Sequence, residues 1–151
     1  MESKKLLFKA DIDVIKHTSK KNRKTIRYNP KTRKPFIATD TSEDNHLKVL
    51  EVKLLKARAQ NGLKKPLDCE MRAKFLFHYP DRVLRTRKDG SAVTQRAKRL
   101  IDLSNLIQGV EDALQVAGVI LDDLLIESYD GTRRIYGERS MPAIEIELYE
   151  L

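Results

Sequence analysis

A chain of 151 residues, 40% apolar and 34% charged, can bury a core without staples. No run approaches the roughly 18 apolar residues of a membrane helix, and the polar alternation of MESKKLLFKADIDV does not fit a secretory signal. A lone cysteine, Cys69, excludes an internal disulfide, so a soluble, cytoplasmic protein in a reducing compartment is expected.

The net charge of +8 is unevenly spread. Between Lys16 and Lys34 there are nine Lys or Arg and no acid, and between Arg82 and Arg99 seven against Asp89 alone. These two segments carry +15, which leaves −7 for the rest: an acidic body with two cationic arms. A single run of this kind is ordinarily a solvated loop, whereas two together point to a polyanion bound through displaced counterions. Lys20, Lys21, Asn22, Arg23 and Lys24 in the first run are the expected nucleic-acid contacts, with Arg85, Arg87, Lys88, Arg96, Lys98 and Arg99 in the second.

In chain order, Leu6, Phe8, Ala10, Ile12 and Val14 alternate with polar neighbours, which predicts a strand over 5–16. The basic arm, 16–38, turns at Asn29-Pro30 between TIRY and PFIA, two runs able to pair as a hairpin. Thr41 or Ser42 caps a helix with Leu47, Leu50, Leu54 and Ala57 inward, and Asn61-Gly62 stops it. A strand follows Pro66 with Cys69, Met71, Ala73, Phe75 and Phe77 on its buried face, which places Cys69 in the core. A basic loop, 80–100, turning at Asp89-Gly90, leads to a second helix. Residues 124–129 and 132–136 predict a hairpin about Asp130-Gly131, and Ile144, Ile146 and Leu148 mark a final strand. The whole, 1–151, reads as one α/β domain (α+β) with a mixed β-sheet and two helices packed on it.

The densest stretch is 101–123. At roughly 100° per residue, Leu103, Leu106, Ile107, Val110, Ala113, Leu114 and Ala117 form a core stripe, and Asp102, Asn105, Gln108 and Asp112 a polar one. Gly118 stops the helix, and Val119–Leu121, short and apolar like a strand, lead to Asp122 and Asp123. Counting Glu111, five carboxylates fall within 22 residues. Each has an ordinary reading: Asp102 as an N-cap, Asp122-Asp123 as a polar turn, Glu111 and Asp112 as a solvated helix face. His17, His46 and His78 are too scattered for zinc, and without a Gly-rich phosphate loop no nucleotide cofactor is expected.

Asp102-Leu103-Ser104-Asn105-Leu106, with Glu111-Asp112-Ala113-Leu114 and Leu121-Asp122-Asp123, is similar to the core of RusA-type Holliday junction resolvases of bacteria and prophages. Ser19-Lys20-Lys21-Asn22 resembles that family's N-terminal basic motif, and the closing Glu145-Ile146-Glu147 strand fits as well. The resemblance implies a RusA-like homodimer that binds four-way DNA junctions in recombination and repair. It would cut two strands symmetrically with Mg²⁺ or Mn²⁺. Asp102 and Asp123 are implied as catalytic metal ligands; by the chemistry of their oxygens Asp122 and Ser104 are further candidate metal ligands, with Asn105, Gln108 and Asp112 in support. The family pattern carries an aspartate where this chain has Ser104 and a lysine where it has Gln108. A second reading is therefore a branched-DNA binding protein of the same fold with reduced or lost nuclease activity. A third, an RNA-binding module, rests on charge alone and lacks an aromatic platform. The nuclease reading requires two aspartates 21 positions apart to share an ion.

Overall fold

The computed structural model describes residues 5–18, 24–39, 41–80, 83–94 and 101–151. Lys20, Lys21, Asn22, Arg23, Arg96, Lys98 and Arg99, named above as DNA contacts, lie outside these residues.

The main sheet is built on β4 (Met71–Tyr79) and β9 (Ala143–Glu150). β9 pairs antiparallel with β4 on one side and with the edge strand β1 (Leu6–Asp13) on the other. Period-two alternation puts Phe8, Leu148 and Ala73 in one cross-strand row, Ala10, Ile146 and Phe75 in the next, and Ile12, Ile144 and Phe77 in a third. All nine are buried. Two helices cover this face: α1 (Thr41–Gln60), through Leu50, Leu54 and Ala57, and α2 (Leu103–Val116), through Leu106, Val110, Ala113 and Leu114. The mixed sheet with two helices expected from the sequence is present. The open face is charged: Arg139 clamps Asp11 with bonds of 2.6 and 2.8 Å, and Nε2 of His78 donates to Glu145 at 2.6 Å. The guanidinium holds the Asp11 carboxyl below the usual range.

Several expectations are corrected. β1 ends at Asp13, and His17, four residues on, lies off the sheet against Tyr79, with ring centroids 4.3 Å apart. Cys69 is only partly buried, because β4 begins two residues later. β7 (Ile126–Ser128) and β8 (Arg133–Tyr136) do not pair with each other. Both run parallel along the same edge of β4, β7 beside Met71 and Arg72, β8 beside Leu76–Tyr79. A Gly131 turn (φ 82°) thus interrupts an edge strand that finds its ladder partner in β4. Residues 119–121 make only an isolated bridge, Ile120 to Leu67.

Both basic segments contain hairpins apart from the main sheet. β2 (Lys24–Tyr28) and β3 (Pro35–Thr39) pair about the turn expected at Asn29-Pro30, where Asn29 Oδ1 accepts from the Lys31 N–H at 3.0 Å. The second segment, read as a loop, holds a short hairpin of β5 (Val83–Thr86) and β6 (Ala92–Thr94). Its turn is fixed by Asp89, whose Oδ1 accepts from the Ser91 N–H and hydroxyl at 2.9 and 2.6 Å. The turn residues Lys31, Arg33, Lys34, Arg87 and Lys88 are exposed.

The root of the first arm is pinned through His17, which is 8% exposed. Its Nε2–H donates to the His78 carbonyl at 2.6 Å, leaving a buried Nδ1 without a partner among the described residues. Burial holds this imidazole below its ordinary value, the carbonyl bond opposing. The unfolded chain therefore takes up a proton near pH 6.5 that the folded one refuses. This stability is full above that pH and is lost as pH falls through the lower folded value. The thermal midpoint should fall between about pH 7 and pH 5, with a shallower slope in His17→Gln; equal slopes would show that His17 is not the group.

Candidate active site

Asp102 occupies the N-cap of α2, and its carbonyl accepts from Asn105 and Leu106 at 3.0 and 3.1 Å. Its exposed carboxylate makes no capping bond. An N-cap aspartate ordinarily accepts from the first-turn N–H groups, so this side chain is left available for other chemistry. Ser104 and Gln108 are exposed on the same end of α2, and Asn105 is half-buried. Asp112, further along, lies against α1; its charge adds to burial in pushing the Glu51 carboxyl up.

Asp102 also stands where both cationic segments are rooted. The first leaves from His17, held on the end of β4; the second leaves β4 after Tyr79 and returns at Ile101. The Ile101 carbonyl accepts from Nη2 of Arg134, the β8 residue that pairs with Phe77. The same guanidinium also faces the Tyr79 hydroxyl. Burial pushes that phenol up, with the arginine opposing.

Asp122 and Asp123 sit at the other end of the helix. Gly118 takes φ 73° beside the Arg58 guanidinium, and Leu121 then bonds the Leu67 carbonyl at 2.9 Å. Asp122 Oδ1 caps a three-residue 3₁₀ turn, Asp123–Leu125, by accepting from Leu124 N–H at 2.9 Å. Asp123 is exposed, its N–H directed to Oε1 of Gln115 in the last turn of α2 at 3.4 Å. The chain then returns along the helix, tied by a bond from the Tyr129 hydroxyl to Glu111. Glu111 is thus occupied in packing and is not a plain solvated residue.

Thirteen residues of helix separate Asp102 from Gln115, a rise of about 20 Å. β4 gives an independent ruler, since Asp102 lies by its last residues and Asp123 by its first. One chain therefore does not bring Asp102 and Asp123 to a common ion, contrary to the sequence expectation. Among the described residues no three His, Cys, Asp or Glu side chains converge in a way that could hold a metal. Asp102, Ser104, Asn105 and Gln108 form one group, Asp122 and Asp123 a second, and Asp112 lies between. Of the DNA-contact candidates, Arg87 and Lys88 lie at the β5–β6 turn, Lys24 opens β2, and Arg85 lies in β5.

Sequence reasoning missed Arg134 and Gln115. Gln115 had a signal, seven residues after Gln108 on the polar stripe. Arg134 had none, because no local pattern tells which carbonyl a β8 side chain meets.

Among the described residues no helix is long and apolar enough to cross a membrane. A search of curated proteins gave no match. The family model described as endodeoxyribonuclease RusA matches residues 20–149. This span takes in the first basic segment from Lys20 on, the second whole, α2 and the Asp122-Asp123 turn, and the chain accordingly belongs to the RusA endodeoxyribonuclease family.

Proposed function

We propose that the protein is a metal-dependent endodeoxyribonuclease that resolves four-way DNA junctions in recombination and repair. It would act as a homodimer whose two sites are each shared between subunits. The observation that carries this reading is the Asp102 carboxylate, exposed and not capping, at the root of two cationic hairpins. Asp123 is its natural counterpart at the far end of α2. A two-fold axis across the middle of α2, with the helices antiparallel, exchanges the two ends. It would set Asp102 beside the partner's Asp123, twice per dimer. Exposed Leu121 and Leu124, flanking Asp122 and Asp123, suit a contact with a second copy.

Mg²⁺ or Mn²⁺ needs only one or two carboxylates and keeps several waters. A single chain offers Asp102 at one end of α2 and Asp122 with Asp123 at the other, whereas such a dimer would set Asp102 and the partner's Asp123 on one ion. Asp122 retains one oxygen beyond its cap, and Ser104 offers a hydroxyl. A bound ion would polarise the phosphoryl oxygen and activate a water. The chain's own residues do the rest. The cationic hairpins hold DNA backbones without reading sequence, and Gln108 and Asn105 present neutral hydrogen-bonding groups beside Asp102. Paired sites related by a two-fold axis match the near two-fold symmetry of a four-way junction. Selectivity would come from that shape.

Cleavage of a synthetic four-way junction with Mg²⁺ or Mn²⁺ is the test, and no product at saturating protein would overturn the nuclease reading. Ser104 and Gln108 favour the rival, a junction-binding protein without cleavage; binding with no product supports it. If the hairpins make six or more phosphate contacts, affinity should drop about 10³-fold between 50 and 200 mM salt. A drop below tenfold would remove the hairpins from the interface.

A further inference from the structure

From Leu100 to Thr132 the chain has no Lys or Arg and seven Asp or Glu. Breaking a phosphodiester builds negative charge at the phosphate, and positioned cations stabilise it best where water is excluded. α2 brings no cation of its own to the Asp102 side.

The fold delivers one from elsewhere. Arg134, 32 positions beyond Asp102, reaches back from β8 and donates to the Ile101 carbonyl, the peptide group joined to Asp102. The same guanidinium faces the Tyr79 hydroxyl, and its Nε is buried without a hydrogen-bond partner among the described residues. Helix stability does not explain the placement. The positive end of the helix dipole lies at this terminus, where a cation is unfavourable. An unpaired buried donor is a further cost to the fold. What the position offers is a fixed positive charge and a clamp on the turn that aims Asp102.

We infer that Arg134 is a positioning residue of the cleavage site: it fixes the Asp102 turn through the Ile101 carbonyl and supplies the positive charge that α2 lacks. The inference rests on the nuclease reading. Its substrate-side requirement is a phosphate of the bound junction close to the N-terminal end of α2.

The test compares wild type, Arg134→Gln, Arg134→Lys and Arg134→Gln with Gln108→Lys, using single-turnover cleavage of a synthetic four-way junction with Mn²⁺. Junction Kd and thermal midpoint are measured on the same samples. Gln108 is chosen because it is exposed one turn past Ser104, where a lysine reaches the same end of the helix. Arg134→Gln should lower the cleavage rate about 100-fold while the junction Kd, set by the hairpins, moves less than about threefold. Arg134→Lys, which keeps charge without the planar fork, should fall between. Adding Gln108→Lys should recover tenfold or more, whereas Gln108→Lys alone, measured beside it because the family pattern carries a lysine there, should gain less than threefold over wild type; an equal gain in both backgrounds would mean a purely structural loss at Arg134 and overturn the inference. If wild type cuts and Arg134→Gln cuts within threefold of it, or if Gln108→Lys restores nothing, the inference is overturned. If Arg134→Gln unfolds, a well-folded Arg134→Lys that cuts as fast as wild type overturns it equally. If wild type itself does not cut, the nuclease reading has failed and the inference falls with it.

Discussion

Asp102→Asn and Asp123→Asn should each lose junction cleavage by about 10³-fold, yet an equilibrated mixture of the two inactive proteins should regain it. In a mixed dimer one site carries both substitutions and the other carries neither. With random exchange of subunits, about a quarter of all sites are then intact, and the product is a nicked junction. Were both aspartates supplied by one chain, every site in every dimer would hold an asparagine, and mixing would restore nothing. The prediction follows from the roughly 20 Å of helix between Asp102 and Gln115, whose Oε1 faces the Asp123 N–H. Failure to recover, with subunit exchange verified independently, would eliminate the shared site. Both variants should keep junction affinity, since neither residue belongs to a cationic hairpin.

Phe75→Ala should cost about 3–5 kcal/mol, a large part of the 5–15 or so a domain of this size possesses. Phe75 is fully buried at the centre of the sheet, between Ile146 and the α helices, with ring contacts to Phe77 at 6.4 Å and Tyr129 at 6.0 Å. Those contacts link the core to the segment that carries Asp123, because Tyr129 also bonds Glu111 of α2. The urea midpoint should fall by about 2 M with an unchanged slope. A drop of less than half that would mean the core closes over the gap. By contrast, Asp123→Asn removes an exposed carboxylate and should leave the midpoint within error, which separates loss of fold from loss of chemistry.

Local pattern made much of the fold legible. Alternation placed β1, β4 and β9, and the 3.6-residue period placed the inward stripes of α1 and α2. Asn29-Pro30 marked the first hairpin, and Gly118 the end of α2. Each signal lies within a few residues and reports which face is buried. The same signals misread β7 and β8, since Asp130-Gly131 looks like a hairpin turn whether the flanking strands pair with each other or with a third. The free edge of β4 settled that. Cys69 was misplaced by two residues of strand boundary, enough to move it from the core to a partly exposed site.

The sequence by itself determined the materials of the proposed site: an acid-rich helix and turn following two cationic segments, with Asp102 and Asp123 as its most telling carboxylates. It did so because charge, periodicity and turn chemistry are local properties of a chain. Only the tertiary structure decided where those carboxylates stand. The bridge from Leu67 to Ile120 and the bond from Tyr129 to Glu111 hold Asp123 at the end of α2 opposite Asp102. Arg134 reaches the Ile101 carbonyl across 33 positions. Such contacts depend on how separate elements stack, and no spacing along the chain records them.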